Sequence, residues 1–366
     1  MYAWRVLTAH PVRLLLTLSG IALCVVLILF ILGIYHGIKV GSLEYIRQTE
    51  GDIWVLQANT TNIMRGTSIL LEGYREEICD DARIDSAASV LMFLTTIDCA
   101  ESSASVLLTG YRPGALGAPP RIVEGRELRA DDEIVLDEAF AAKHDVGVGA
   151  RVGIRGDSLT VVGLSSGTNL SVMQYAFVTL AYEQSLVDFP GLASLFVLQV
   201  RNRRDIAGVM RNIDTRFPGQ FAVYTKQEFL DNNLREVDAG VLPLFYAIAL
   251  IGAVVLAIIL SLILSVSILE RRSDFAVMKI IGSPVRYLRR VVVGQSLLIG
   301  GAAEALGLLL LYPVLAGIQM VTPEVAATIT TMHVIGITLA VLGISAASGL
   351  LASRRVRQIA PSEVFS

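Results

Sequence analysis

The sequence predicts an α-helical membrane protein with four transmembrane helices and an α+β extracytoplasmic domain inserted between the first and the second. Three observations carry this: a mean hydropathy of +0.62, four long runs almost free of Asp, Glu, Lys and Arg, and a long polar stretch of mixed periodicity after the first run. A helix needs roughly 20 apolar residues to cross a bilayer, and every run is longer than that.

The first run, Leu14 to Ile38, lies between Arg13 and Lys39. It is too long for the apolar part of a cleavable signal, roughly 7–15 residues, and no small-x-small pattern follows before Glu44, so it reads as an uncleaved anchor. The second run is Ala239 to Leu269, the third Val291 to Pro323 broken only by Glu304, and the fourth Val325 to Ser353. The expected layout is an N-terminal segment over residues 1–13, spans at 14–38, 241–269, 291–312 and 333–353, the inserted domain at 39–238, an inner loop at 270–290, an external loop at 313–332 and a tail at 354–366.

Lys and Arg in short loops resist translocation and so set orientation. Arg5 and Arg13 precede the first span, Arg271, Arg272, Lys279, Arg286, Arg289 and Arg290 separate the second from the third, and Arg354, Arg355 and Arg357 follow the fourth. The stretch from Pro313 to Met332 has neither residue. Both termini and the 270–290 loop are therefore expected in the cytoplasm of a bacterial plasma (inner) membrane, with the inserted domain outside. The net charge of −3 says little about partners, because it averages over two compartments, and no nucleic-acid partner is expected.

Within the inserted domain, Gly51 to Gln57 alternates as a strand does, and Glu72 to Asp81 reads as a surface helix. Ser89–Thr96 and Ser103–Thr109 are expected strands around a polar turn at Asp98–Ser102. Glu133–Asp137 is a strand and Glu138–His144 a short helix, and Arg151–Arg155 and Leu159–Gly163 flank a hairpin loop at Gly156-Asp157-Ser158. A strand-helix-strand unit follows over Leu195–Val200, Arg203–Phe217 and Phe221–Thr225, and two lobes are expected. From Lys226 to Asp238 the chain is charged and helix-prone, with only Gly240 and Pro243 before the second span. It reads as a stalk helix continuous with the membrane helix, the alternative being an ordinary connector.

Catalytic signals are missing. His10, His36, His144 and His333 fall in separate regions, and no HExxH, CxxC, GxSxG, Gly-Lys-Ser or Gly-Lys-Thr occurs. The chain is expected to be no enzyme and to bind no metal or cofactor. Cys24 is a small apolar residue of the first span; Cys79 and Cys99 lie in the inserted domain, where a disulfide between them stays open. Glu304 either lines a substrate or proton path or is a neutral, hydrogen-bonded group at a helix contact. With no basic partner inside a span, the second reading is favoured. Gly33, Gly37 and Gly41 form a flat stripe for close backbone packing, within the subunit or against a second copy.

Just past the second span, Phe275, Met278 and Ile281, with Val277 and Ile280 beside them, recur at helical spacing on a charged segment that Gly282-Ser283-Pro284 stops. Such a short amphipathic helix either lies on lipid or enters a groove on a partner. The stretch resembles the signature of the FtsX-like, or MacB-type (type VII), permeases of ABC transporters, Glu-Arg-Arg-x-x-[Phe/Ile]-x-Val-x-[Lys/Arg]-x-[Ile/Leu]-Gly. It matches at Glu270, Arg271, Arg272, Phe275, Val277, Lys279, Ile281 and Gly282. The segments Trp4 to Ala22, Val123 to Leu128, Val146 to Gly149, Val161 to Gly163 and Arg354 to Val364 are similar to family members too.

The resemblance implies a dimer of this chain with a second copy or paralogue, seated on a separate cytoplasmic ABC ATPase that binds ATP and Mg. ATP-driven movement would pass by mechanotransmission through residues 270–282 and the membrane helices to the outer domain. Family members often work with a periplasmic adaptor, a membrane fusion protein. The leading expectation is export or extrusion of a hydrophobic or amphipathic substrate. The alternative is an FtsX-like regulator that acts on a cell-wall hydrolase or a sensor. Glu304 departs from the small residue more common in the family.

Overall fold

The computed structural model describes residues 11–63, 68–99, 102–169, 174–270, 272–322 and 327–358. They form two compact units, those within 11–36, 242–318 and 327–358 in the membrane-spanning one and those within 37–241 with 319–322 in the inserted one. Four helices are long and apolar enough to cross a bilayer: α1 (Pro11–Gln48), α6 (Lys226–Glu270), α8 (Val285–Val321) and α9 (Thr331–Gln358). Helices suit this environment because every interior backbone group is paired within the segment. A single cluster holds the membrane unit, with Ile21, Val25 and Leu29 of α1 among Leu256, Leu260 and Leu264 of α6, Val292 and Ile299 of α8, and Val341 of α9.

Two prolines lie inside helices, the first in keeping with the expected continuous stalk and the second against the expected layout. α6 runs unbroken for 45 residues through Pro243, roughly 67 Å at the α-helical rise, so the charged 226–238 segment and the second span are one element. α8 continues through Pro313 to Val321, correcting the loop expected from residue 313. A proline removes one helical hydrogen bond, a loss that neighbouring helices tolerate within a membrane bundle.

The inserted unit is built on a ten-stranded sheet, β12-β1-β11-β3-β4-β9-β6-β8-β5, with β7 bonded to β3 and β8. Its strands are β1 (Ile53–Gln57), β3 (Ile84–Asp98), β4 (Ser103–Tyr111), β5 (Ile122–Gly125), β6 (Glu133–Asp137), β7 (Arg151–Ile154), β8 (Asp157–Ser165), β9 (Gln174–Thr179), β11 (Leu195–Val200) and β12 (Phe221–Thr225); β2 (Leu70–Leu71) and β10 (Leu192–Ala193) pair apart. The 15-residue β3 joins the two halves: Ile84–Val90 pair with β11 and Leu91–Asp98 with β4.

Strand periodicity sorts the core by face. Trp54, Leu56, Leu107, Val135, Tyr175, Phe177 and Val197 point to one side and form one cluster along the sheet. Their neighbours point to the other side, where two clusters form. Ile53, Val55, Phe196 and Leu198 pack under α2 (Glu72–Cys79) and α5 (Ile206–Arg216), and Val106, Leu108, Ile134, Leu136 and Val178 with α3 (Glu138–His144) and α4 (Leu180–Leu186). The two lobes thus exist on one face only. In place of the expected alternation, Ile53–Leu56 of β1 form a continuous apolar run buried on both faces, and only Gln57 is exposed.

One expectation changes, and two alternatives that the sequence left open take definite form. The β7–β8 turn is Arg155-Gly156, with φ of 49° and 99°, while Asp157 already belongs to the strand; two consecutive positive φ values are what a two-residue type I′ hairpin needs. Arg155 tolerates that backbone with its guanidinium donating to Leu186 O at 3.1 Å and lying over Phe93. The glycine stripe is filled from within the chain: Gly33 O accepts from Thr328 N–H at 3.1 Å under Ile329, and the Asn169 backbone closes over Gly41. Gly37 between them is buried.

The disulfide that the sequence left open is not formed. Cys79 and Cys99 are free, because α2 ends near the start of β3 and Cys99 follows its far end. A strand of 15 residues spans about 45–50 Å, far beyond the roughly 7 Å that a disulfide bridges. Exposed Cys79 should therefore react with a maleimide to the same extent with and without prior reduction, read by intact mass.

Candidate functional site

Two groups of residues stand out, one in each unit. In the membrane unit, α6 ends at Glu270 and α7 follows as Arg272–Ile280; Arg271 and the side chain of Lys279 lie outside the described residues. The helix divides its apolar residues between two environments. Phe275 and Ala276 are buried and Met278 is partly so, with Phe275 and Met278 packed into the bundle core beside Leu264, Ile268 and Leu288. Val277, Ile280 and Ile281 face outward, Ile281 being 77% exposed. Arg272 of the same helix and Arg286, Arg289 and Arg290 just after it in sequence are exposed as well.

The end of α7 is a Schellman stop. Gly282 sits at φ +90°, and Ser283 N–H reaches back to Met278 O at 2.9 Å. The chain turns through Pro284, whose carbonyl takes the Tyr287 N–H at 2.8 Å and opens α8. The spacing that marks 270–282 in the sequence therefore contains two functions, inward anchoring and outward display, which periodicity alone does not separate.

In the inserted unit, α1 and α6 lie on the same sheet face. Tyr45 of α1 stacks on Tyr175 at 5.1 Å and meets Trp54 edge-on at 6.4 Å; Trp54 stacks on Phe229 of α6 at 4.9 Å. Tyr45, Trp54 and Phe229 are fully buried. The Tyr45 hydroxyl donates to Gly117 O at 2.9 Å, and buried Asn233 donates to Phe229 O while accepting the Ile63 N–H. Lys226 Nζ donates to Thr49 O at 2.7 Å, just past the end of α1. None of these residues was singled out from sequence as functional. The only available signal was aromatic content near the two membrane helices.

Comparison with known proteins now bears on these features. The family model described as "MacB-like periplasmic core domain" matches residues 14–216, more than half of the chain, and "FtsX-like permease C-terminal" matches 246–361. The chain belongs to the MacB-type, FtsX-like permease family of ABC transporters. An uncharacterised ABC transporter permease of Mycobacterium bovis is 24% identical over 362 residues, covering 96% of this chain and 95% of its own. Another, from Mycobacterium tuberculosis, is 23% identical over 301 residues, 81% of each chain. The periplasmic region of MacB from Actinobacillus actinomycetemcomitans aligns with a TM-score of 0.39 at 13% identity, over 51% of this chain and 94% of that one. The extracellular domain of the Gram-positive transporter YknZ gives 0.37 at 11% identity, over 48% and 98%.

As an ABC permease, the chain is a membrane subunit of a family that works with an ATPase partner. Two intramembrane features of the permease take definite form. Glu304 is buried on α8 and accepts the hydroxyl of Thr338 on α9, which also donates to Val334 O at 2.9 Å. Glu304 thus lies at a contact between α8 and α9. His36 and His333, far apart in sequence, meet edge to face at 5.2 Å. Among the described residues no group of three metal-ligating side chains assembles.

The inserted domain holds one buried charge problem. Glu183 on α4 is fully buried, and neither carboxylate oxygen has a well-directed hydrogen-bond partner. Burial drives its pKa well above the ordinary carboxylate value, only partly countered by the Gly110 N–H. Glu133 shows the opposite case, held down at about 2 by bidentate Arg126. For Glu183 the folded state holds the proton more tightly than the unfolded one. Its contribution to stability is therefore full below the unfolded pKa and is lost as pH rises towards the folded pKa. Glu183→Gln should stabilise the domain, with an advantage over wild type that grows between about pH 5 and 8 by at most ~1.4 kcal/mol per unit. Urea unfolding of both proteins across that range checks it, and an advantage independent of pH counts against it.

Proposed function

We propose that this permease couples ATP hydrolysis by a separate cytoplasmic ATPase to export of a hydrophobic or amphipathic substrate, by transmitting movement along its membrane helices rather than by forming a chemical site. The observation that supports this reading is α6, a single helix whose first turns pack on the inserted domain's sheet and whose last residue, Glu270, adjoins α7. Both termini and α7 are taken to lie in the cytoplasm of the inner membrane. The outward-facing aliphatic residues of α7, on a segment that also exposes arginines, then have the chemistry of a helix that enters a groove on a protein partner, while Phe275 fixes that helix to the bundle. A second permease copy would complete the machine, with lipid around the outward leucines and isoleucines of α6 and an adaptor on the far side of the membrane.

Separating display from anchoring makes the reading testable. Ile281→Glu with Val277→Glu should cut ATPase association and stimulation by about tenfold or more while insertion and thermal stability stay normal, because only exposed positions change. Phe275→Ala should instead destabilise the chain by roughly 3–5 kcal/mol. Co-purification, ATPase assays and thermal melts of the reconstituted complex read these outcomes. A flexible Gly-Ser insertion after Asp238 should abolish transport while ATPase binding persists; full transport by that variant excludes rigid coupling through α6.

A further inference from the structure

The carboxyl ends of β4 and β9, a parallel pair, open on a cavity of about 240 Å³ within the inserted domain. Parallel strands commonly present ligand sites at their carboxyl ends, where loops and helix starts converge. Tyr111 and Thr179, the last residues of the two strands, line it, and Arg112, Arg129, Asp131 and Gln184 supply further polar groups.

An account of their hydrogen-bonding capacity shows what is left unspent. Arg112 commits Nη2 to Glu72 at 2.8 Å and keeps Nη1 and Nε. Arg129 is exposed, and its guanidinium has no hydrogen bond or ion pair among the described residues. Gln184 donates its amide hydrogens to Glu72 at 3.4 Å and to Leu192 O at 2.8 Å, leaving Oε1 only as an acceptor. Asp131 accepts the Thr179 hydroxyl on Oδ1, and Oδ2 stays open. The remaining inventory is guanidinium donors and the unpartnered Tyr111 hydroxyl beside two oxygen acceptors, in a space smaller than the roughly 300 Å³ at which drug-sized pockets begin.

We propose that this cavity binds a carboxylate that carries a nearby N–H donor, the chemistry of an amino acid or of a short peptide's carboxyl end. The carboxylate pairs with Arg129 and Arg112, since guanidinium matches its planar geometry, and the nitrogen donates to Asp131 and Gln184. Nothing in this assignment depends on ATP coupling or on the transported cargo.

The test uses the full chain in lipid nanodiscs, titrated by ligand-observed NMR with L-alanine, L-alanyl-L-alanine, N-acetyl-L-alanine and L-alaninamide. The carboxylates should bind saturably and L-alaninamide should not. Arg129→Gln, at an exposed position whose guanidinium has no partner among the described residues, should weaken binding about tenfold or more, the effect of losing a charge-assisted hydrogen bond, and Asp131→Asn should weaken the ligands with a free amine. Retained binding of N-acetyl-L-alanine together with the dipeptide assigns the site to peptide ends, and binding of L-alanine alone assigns it to the free amino acid. Absence of saturable binding by every carboxylate, equal binding of L-alaninamide, or indifference to Arg129→Gln overturns the proposal.

Discussion

The row of rings formed by Tyr175, Tyr45, Trp54 and Phe229 is the contact on which the inserted domain's architecture depends. A domain placed between two membrane helices must begin and end on them. Here both helices end their course on one sheet face, α1 through Tyr45 and Ile46 and α6 through Phe229. Burying large rings removes much apolar area from water, and stacked pairs add about 0.5–1.5 kcal/mol each beyond that area. The same face would otherwise expose Leu56, Val135, Phe177 and Val197, so the helices complete the domain's core as well as connecting it.

Backbone connections reinforce the row. β1 follows α1, β12 precedes α6, and the two strands are paired neighbours from Gln57↔Phe221 to Ile53↔Thr225. The Lys226 ammonium on Thr49 O places a cation near the carbonyl end of α1, where the helix dipole favours it. In the membrane unit, close contacts serve a similar purpose through small and polar residues. Ser296 donates to Ser345 O at 2.6 Å, Gly349 lets α9 approach Val293, and Glu304 with Thr338 adds a polar tie between the same two helices. Lipid offers no hydrophobic gain for helix association, so packing and hydrogen bonds hold the bundle.

Much of the inserted domain was legible because its signals are local. Glu133–Asp137 and Glu138–His144 coincide with β6 and α3, as Asp137 ends the strand and caps the helix by accepting the Ala139 and Phe140 N–H groups. β9 and α4 were not legible. Their burial depends on pairing with β4 and β6, distant in sequence, and the Gln174–Thr179 run has no turn signal of its own. Glu183 was equally hidden, since a carboxylate in a short surface-type helix gives no local sign that it will be enclosed.

The sequence by itself determined the number of spans, the place of the insertion and the membership of the family, because hydrophobic run length, loop charge and the Glu270–Gly282 signature are properties of contiguous residues. Which side chains of that signature anchor and which are displayed, that the glycine stripe is filled by the chain itself, that Cys79 and Cys99 are held apart by β3, and that Arg129 and Asp131 share a cavity were decided only by tertiary structure. Each of these depends on what lies opposite a residue in space, and chain-local patterns carry no record of that.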